Sequence, residues 1–245
     1  MRLVSIFLFC LLVADEGHAA EPLTVAVASN FRVVAEALAE DFANTTGNEI
    51  RLSSGSTGKL YGQILNGAPF DVFLAADRER PELLEAAGHV AEGSRRIYAV
   101  GHLALVSMSA RECEVALLGG DGRIAIANPD VAPFGAAAMS ALSGAYHQLV
   151  DRDRLVFAEN VAQVMHFVVT GNAEVGLVST AQIAALEDFA PSCTQTLRQD
   201  VYEPVVQQAV ILKRTQRLAV ATAFFEFLHS DQGRAKIQAF GYGVR

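Results

Sequence analysis

Three consecutive strand-turn-helix units near the start of the chain limit its fold more than any other feature. Apolar strands are predicted at residues 23–28, 50–52 and 71–76, and each precedes a segment whose apolar residues recur at helical spacing. Strands that alternate with helices in this way form a parallel sheet covered by the helices. The predicted fold class is therefore α/β.

The same pattern begins again in the second half of the chain, which predicts a second lobe. Strands are expected at residues 123–127, 155–158 and 174–178, each followed by a helix. The chain of 245 residues is long enough for one large domain or two small ones, and no Pro- or Ser-rich linker divides it. Two lobes must then be joined by strands that cross between them.

Extended apolar segments supply these crossings. Residues 98–100 and 103–107 are predicted to lead out of the first lobe, and residues 205–212 to return to it. The helices predicted at 216–229 and 232–240 would then pack on the first lobe. That arrangement makes the first lobe discontinuous in sequence.

These assignments divide the chain into three parts. Residues 1–20 form an export signal, residues 21–102 plus 213–245 form the first lobe, and residues 103–212 form the second lobe together with the crossing strands. A ligand cleft is expected between the lobes, outside the carboxyl ends of the parallel strands.

The export signal is predicted from the first residues of the chain. Arg2 precedes an apolar run at 3–14, and the small residues that follow offer a cleavage point after Ala19 or after Ala20. The run is shorter than the roughly 20 residues that span a bilayer, and no later segment approaches that length. We therefore expect the mature chain to work in the periplasm without inserting into the membrane.

Charge and cysteine content narrow the range of partners. The formal net charge of −8 argues against nucleic acid and against docking on an anionic lipid surface. Cys113 and Cys193 are the cysteines outside the signal. An oxidising compartment allows them to pair, although two cysteines alone determine no geometry for the bond.

Several strand-to-helix turns are rich in hydrogen-bond donors. They contain Ser29-Asn30, the small-residue run 53–58, the segment 128–135 and Asn160-Val161. A helix N-terminus presents unpaired N–H groups and the positive end of the helix dipole, so converging termini bind an anion without any lysine or arginine. Taken singly, each turn is also explained as an ordinary helix cap, because Ser and Asn are preferred cap residues.

Catalytic and nucleotide-binding patterns are missing from the sequence. The run 53–58 is not a P-loop, because Ser53 and Leu60 occupy the positions of its first glycine and its final Ser/Thr. The histidines show no metal-ligand spacing, and there is no G-x-S-x-G elbow. A hydrolase that used Ser29 or Thr57 would lack a base, so we expect neither enzymatic activity nor a cofactor.

Five segments together resemble the periplasmic molybdate-binding proteins of ABC transporters. The resemblance covers essentially the whole mature chain, and a G-A-P-x-D-V-F pattern is specific to that family and its close relatives for tungstate and molybdate. The segments are residues 27–31, 53–61, 66–77, 127–135 and 202–210. The resemblance implies a two-lobed, type II (Venus-flytrap) monomer that holds an oxyanion in its cleft and delivers it to a membrane permease.

By this resemblance, three residues of the first lobe bind the oxyanion. Ser29 and Thr57 are expected to donate through their hydroxyl and backbone N–H groups, and Asn30 through its backbone and side-chain amides, with Ser56 in support. The contacts run to the oxygens of molybdate or tungstate and never to the metal itself. Sulfate remains an alternative ligand, since it is also a tetrahedral dianion that only accepts hydrogen bonds.

In the second lobe the resemblance assigns backbone donors. Phe134 and Val161 are expected to contribute N–H groups, which lets apolar residues occupy binding positions. Some family members add a tyrosine hydroxyl just after the strand predicted at 174–178, where this chain has Ser179 and Thr180. A branch of the family that places Asn beside its first Ser or Thr manages without that tyrosine, and this chain, with Asn30 after Ser29, is similar to that branch.

Overall fold

The computed structural model describes residues 21–186 and 190–244, so the predicted export signal at residues 1–20 lies outside the described residues. Among those described, no helix combines the length and the apolar character needed to cross a membrane. The described strands are β1 (Leu23–Ala28), β2 (Ile50–Gly55), β3 (Val72–Leu74), β4 (Arg96–Gly101), β5 (Leu103–Ser107), β6 (Ile124–Ala127), β7 (Leu155–Ala158), β8 (Val175–Ser179), β9 (Cys193–Thr196) and β10 (Val205–Ile211). The described helices are α1 (Arg32–Thr46), α2 (Thr57–Leu65), α3 (Glu79–Ala86), α4 (Cys113–Gly119), α5 (Pro133–Ser143), α6 (Val161–Val169), α7 (Thr180–Ala184), α8 (Leu218–His229) and α9 (Asp231–Ala239).

The strands form two five-stranded sheets, one in each lobe. In the first sheet, ordered β2-β1-β3-β10-β4, β1 runs parallel to β2 and β3, and β10 runs antiparallel to β3 and β4. The second sheet, ordered β7-β6-β8-β5-β9, repeats this plan: β6 is parallel to β7 and β8, and β5 is antiparallel to β8 and β9. The predicted two-lobed α/β fold is confirmed. The sheets are mixed because the first strand after each crossing, β5 in the second sheet and β10 in the first, runs antiparallel to both of its neighbours.

Two short connections join the lobes. β4 ends at Gly101 in the first sheet and β5 begins at Leu103 in the second, so His102 alone makes the first crossing. The return lies between Thr196, where β9 ends, and Val205, where β10 begins. A one-residue crossing keeps the end of β4 and the start of β5 close together, so it limits how far the lobes can separate at that point.

The structure corrects one predicted boundary. The sequence predicts that residues 205–212 belong to the second lobe, 103–212, as a crossing strand. In the structure β10 pairs with β3 and β4 and is an inner strand of the first sheet. A buried inner strand and a crossing strand have the same apolar pattern, so the sequence could not separate them. The first lobe therefore resumes at Val205 rather than at residue 213.

Helix α1 fixes the polar turn Ser29–Phe31 at the end of β1 in the first sheet. Its apolar residues Val34, Leu38 and Phe42 are buried in the core of the first lobe, where each such side chain contributes roughly 1.5–3 kcal/mol. The helix ends at Gly47, whose φ of 73° is the left-handed conformation that glycine adopts without strain. Because these buried residues fix the position of α1 along its length, they also fix the position of the turn that precedes it.

Asp71, the acidic residue of the G-A-P-x-D-V-F pattern, has a structural role. Its buried carboxylate accepts the backbone N–H of Thr24 at 2.8 Å and the hydroxyl of Thr215 at 2.6 Å, and the Arg217 guanidinium lies 3.4 Å away. These contacts tie β1 and the start of β3 to the segment before α8. The pattern therefore marks the assembly of the first lobe and not a ligand contact.

A disulfide joins the two elements that the sequence did not predict, α4 and β9. Cys113 begins α4 and Cys193 begins β9, and their Cα atoms lie 5.7 Å apart. β9 reads Cys-Thr-Gln-Thr and is an edge strand, so it carries none of the apolar alternation that identifies an inner strand. The bond closes a loop with a sequence separation of 80 residues within the second lobe.

We expect reduction of this disulfide to destabilise the protein. A crosslink with a separation of 80 residues limits the unfolded chain, and its loss should lower the free energy of unfolding by about 4 kcal/mol. Urea denaturation with and without dithiothreitol measures the change. The double variant Cys113→Ala/Cys193→Ala is the control, because its stability should not respond to the reductant. An unchanged midpoint for the reduced wild type would contradict the expectation.

Candidate ligand-binding cleft between the lobes

The parallel pairing of β1 with β2 brings two polar turns side by side. Ala28 lies opposite Gly55 in the register, so Ser29 and Ser56 are the next residues along neighbouring strands. Ser29 begins a 3-10 turn that leads into α1, and Ser56 precedes α2. The predicted turn at 53–58 is shorter than expected, because its first three residues complete β2.

Ser56 and Thr57 are buried, and their hydroxyl groups have different surroundings. Thr57 Oγ1 accepts the backbone N–H of Ala76 at 3.1 Å, which leaves its own proton available to donate. Ser56 Oγ has no hydrogen-bond partner within the described residues. A buried hydroxyl without a partner is costly in a folded protein. Neither hydroxyl therefore donates its proton to an acceptor among the described residues.

Asn30 is buried in the same turn, but its side chain is already engaged. Its Nδ2 donates to Gln207 Oε1 at 2.9 Å and to the Tyr242 hydroxyl at 3.0 Å, and an amide has only two protons there. The Tyr242 hydroxyl in turn donates to the Asn30 carbonyl at 2.7 Å. The expected side-chain contact to a ligand therefore does not fit this structure. The backbone N–H of Asn30 is the donor that remains.

The second lobe contributes the N-termini of α5 and α6. Phe134 is the second residue of α5 and Val161 the first of α6, positions whose backbone N–H groups have no acceptor within the helix. The Asn160 side chain caps α6 by accepting the N–H groups of Ala162 at 3.0 Å and Gln163 at 3.1 Å. This cap leaves the N–H of Val161 free of the Asn160 side chain.

The ring of Phe134 reaches the first lobe beside the first crossing. A Cβ on Gly101 would lie 2.6 Å from Phe134 Cζ and 3.0 Å from Gln207 Nε2, which is too close for any other residue to replace glycine without a shift. Because Gly101 has no Cβ, the Phe134 ring can pack against the end of β4. The N-terminus of α5 is seated directly on the first lobe.

Direct contacts hold the two sets of helix termini together. The N–H of Gly58 at the start of α2 donates to the carbonyl of Val131 at 2.9 Å, and a Cβ on Gly58 would lie 3.0 Å from Val131 Cα. The Arg80 guanidinium donates to the Asp130 carbonyl at 3.1 Å. The turn that begins at Ser29 packs against α6. These contacts bring the turns that contain residues 29, 30, 56 and 57 against the parts of the second lobe that contain residues 134 and 161.

The candidate residues themselves carry no formal charge. Two ion pairs involve residues close in sequence to these turns or to the strand after α2: Lys59–Glu159 at 2.9 Å, which is exposed, and Asp77–Arg80 at 2.5 Å. Burial raises the pKa of the Asp77 carboxyl, and Arg80 opposes that shift. Within the described residues no cluster of His, Cys, Asp and Glu could hold a metal ion. Neutral donors at helix N-termini suit an anion that only accepts hydrogen bonds.

Sequence reasoning missed the residues behind the first turn. Gln207 and Gln208 stand inside the otherwise apolar β10, and this polar pair in a buried strand is the signal that could have drawn attention to them. Tyr242 carries no such signal. Where some family members have a tyrosine, Ser179 ends β8 and the Thr180 hydroxyl donates to the Gly241 carbonyl at 3.2 Å.

Comparison with known proteins gives consistent relatives. A family model described as "Bacterial extracellular solute-binding protein" matches residues 23–243. The chain is 39% identical over 238 residues to the molybdate-binding protein ModA of Azotobacter vinelandii, covering 96% of this chain and 94% of that protein. It is 36% identical over 229 residues to ModA of Rhodobacter capsulatus, covering 91% of this chain and 89% of that protein.

Solved structures extend the similarity to three dimensions. The periplasmic molybdate-binding protein of Azotobacter vinelandii superposes with a TM-score of 0.84 at 38% identity, covering 91% of this chain and 99% of that one. The sulfate-binding protein SubI of Mycobacterium tuberculosis superposes with a TM-score of 0.74 at 14% identity, covering 91% and 86%. The second likeness concerns the fold alone.

We expect the two neighbouring hydroxyl residues to differ in their effect on stability. Thr57→Val removes a buried acceptor of the Ala76 N–H and should lower the free energy of unfolding by about 1–3 kcal/mol. Ser56→Ala removes a hydroxyl without a partner and should change the same free energy by less than about 0.5 kcal/mol. Urea denaturation of the ligand-free protein measures both. An equal loss in the two variants would contradict the difference in their surroundings.

Proposed function

Because the chain belongs to the bacterial extracellular solute-binding protein family, we propose that it is the molybdate-binding component of an ABC importer. Tungstate, which has the same shape and charge, is the second ligand. The chain is exported to the periplasm by residues 1–20, acts there as a monomer and delivers the oxyanion to a membrane permease. No cofactor and no catalytic step take part.

The observation that carries this proposal is the set of neutral donors in the cleft. Ser29, Ser56 and Thr57 stand at the N-terminal ends of helical segments that contact the second lobe, and none of these residues is charged. A fully deprotonated tetrahedral dianion accepts hydrogen bonds from every side. Hydrogen phosphate also carries a proton that needs an acceptor. The backbone N–H groups supply none, and a hydroxyl that accepts this proton cannot donate to the same phosphate oxygen. The chemistry therefore favours molybdate, tungstate or sulfate over phosphate.

Each lobe supplies its share of the donors. In the first lobe we assign Ser29 and Thr57 through hydroxyl and backbone N–H groups, Asn30 through its backbone N–H, and Ser56 through its otherwise unpartnered hydroxyl. In the second lobe we assign the backbone N–H groups of Phe134 and Val161. All of them contact oxygens of the ligand, so the molybdenum atom has no protein ligand of its own.

Molybdate is preferred to sulfate on the strength of the relatives. The proteins that are 39% and 36% identical to this chain both carry the name of molybdate-binding proteins. The sulfate-binding structure shares only 14% of its residues, which supports the common fold and not the ligand. Sulfate is therefore an outcome of the test.

The interlobe contacts support a closure mechanism. An oxyanion that accepts hydrogen bonds from both lobes stabilises the closed arrangement relative to the open one, so the ligand shifts the population toward the closed form. The Gly58–Val131 hydrogen bond and the Arg80–Asp130 contact form only when the lobes meet. The permease can thereby distinguish the loaded protein from the empty one.

Isothermal titration of the mature chain tests the ligand. The protein, beginning at residue 21 and stripped of bound ions, is titrated in turn with molybdate, tungstate, sulfate and phosphate. We expect one-to-one binding of molybdate and tungstate, with phosphate at least about 100-fold weaker, because one buried group left unsatisfied costs about 3 kcal/mol. Tighter binding of sulfate than of molybdate would reassign the ligand, and no heat with any of the four would refute the proposal.

A glycine pair in α2 tests the need for closure. A Cβ on Gly58 would meet the Val131 backbone at 3.0 Å, whereas a Cβ on Gly62 would meet nothing within 4 Å. Gly58→Ala should therefore weaken molybdate binding about 10-fold, since overpacking typically costs 1–3 kcal/mol. Gly62→Ala makes the same change in the same helix and should bind like the wild type. Equal affinities of the two variants would exclude the closed contact from the binding mechanism.

A further inference from the structure

Four buried polar side chains form a cluster behind the first ligand-binding turn. Asn30, Tyr98, Gln207 and Tyr242 are 4%, 3%, 0% and 4% exposed, respectively. Tyr98 and Tyr242 both pack edge-on against the ring of Phe31, with centroids at 4.7 and 5.3 Å. Burying this much polar surface is favourable only when the groups bond to one another. We call these four residues the Asn30 cluster.

Within the cluster, Tyr242 bonds to both the main-chain carbonyl and the side-chain amide of Asn30. Its hydroxyl donates to the Asn30 main-chain carbonyl at 2.7 Å and accepts one Nδ2 proton at 3.0 Å. Gln207 Oε1 accepts the other proton at 2.9 Å. Burial raises the pKa of the Tyr242 hydroxyl well above its ordinary value, so the hydroxyl is protonated and can donate. The side chain and the main chain of Asn30 are thereby fixed together.

The groups that hold Asn30 lie on or beside the strands next to the two crossings. Gln207 lies on β10, which follows the return crossing. Tyr242 lies in a C-terminal segment that is paired with β4 through two hydrogen bonds between Val100 and Gly243, at 2.7 and 2.9 Å. The neighbouring Gly241 carbonyl accepts the Thr180 hydroxyl of the second lobe at 3.2 Å. The cluster therefore connects the ligand-binding turn to the hinge.

We propose that Tyr242 is a positioning residue for oxyanion binding, which it supports by fixing Asn30 so that the donors of the Ser29 turn point into the cleft. This inference rests on the proposed function and adds a residue from the end of the chain to the site. It also gives the Asn30 side chain a role other than ligand contact. Its amide sets the orientation of the turn, and the backbone of the turn binds.

Tyr98 provides a matched control within the same cluster. Its hydroxyl lies 2.9 Å from Gln207 Oε1 and 3.2 Å from the Ala75 carbonyl, so its hydrogen bonds go to these groups and not to Asn30. Tyr98→Phe and Tyr242→Phe each remove one buried hydroxyl beside Phe31. Both variants should lose comparable stability, but only Tyr242→Phe removes hydrogen bonds made to Asn30 itself, because the Tyr98 hydroxyl reaches Asn30 only through Gln207.

The experiment compares wild type, Tyr242→Phe and Tyr98→Phe by isothermal titration with sodium molybdate, with a thermal melt of each ligand-free protein. We expect Tyr242→Phe to bind molybdate at least about 10-fold more weakly than wild type, as loss of a bond that holds the donors implies. Tyr98→Phe should stay within about 3-fold of wild type despite a similar fall in melting temperature. A purely structural role would give the two variants the same loss of affinity.

The outcomes separate the two proposals. If wild type binds no oxyanion, the proposed function fails and the role of Tyr242 falls with it. If wild type binds molybdate and Tyr242→Phe matches it, or matches a weakened Tyr98→Phe, the positioning role alone is overturned. Should Tyr242→Phe not fold, Gln207→Met decides, because it removes the other acceptor of the Asn30 amide. A loss of at least about 10-fold in that variant supports the cluster, and wild-type affinity refutes it.

Discussion

The parallel pairing of β1 with β2 is the constraint on which the rest of the site depends. Because Ala28 lies opposite Gly55, both strands end at the same level and deliver their following residues to one edge of the sheet. Each strand passes directly into a helical turn, so the positive ends of two helical segments meet there. The second lobe presents α5 and α6 to the same space. A site built on strand register needs no charged side chain to attract an anion.

Most of the architecture could be predicted because its signals are local. The strands that end at Ala28, Ala127 and Ala158 and the helices that follow them repeat the apolar spacing of the sequence. β10 shows where local pattern fails, since an apolar run does not reveal which sheet it joins. Helix α4 and strand β9 were missed for a related reason. A disulfide joins them and β9 lies at the edge of its sheet, and neither feature produces a periodic apolar pattern in the sequence.

The candidate site could likewise be predicted only where its signals are local in sequence. Cap-forming residues and small-residue turns identified the positions of Ser29, Thr57 and Val161, because the start of a helix is signalled by residues that are adjacent in sequence. The role of the Asn30 side chain was not predictable, since its partners lie 177 and 212 residues away along the chain. An asparagine at a helix start looks the same whether its amide faces a ligand or a buried tyrosine. Only the packed structure distinguishes the two.

The position of Tyr242 also bears on how the protein is made. Its bonds to Asn30 span 212 residues, and the sheet that carries β1 is incomplete until β10 and the C-terminal segment have joined it. Contacts so distant in sequence form late and slowly, because the intervening chain must first be brought together. The N-terminal portion therefore lacks the bonds that hold Asn30 until the segment around Tyr242 has paired with β4. The final geometry of this turn is a late product of folding.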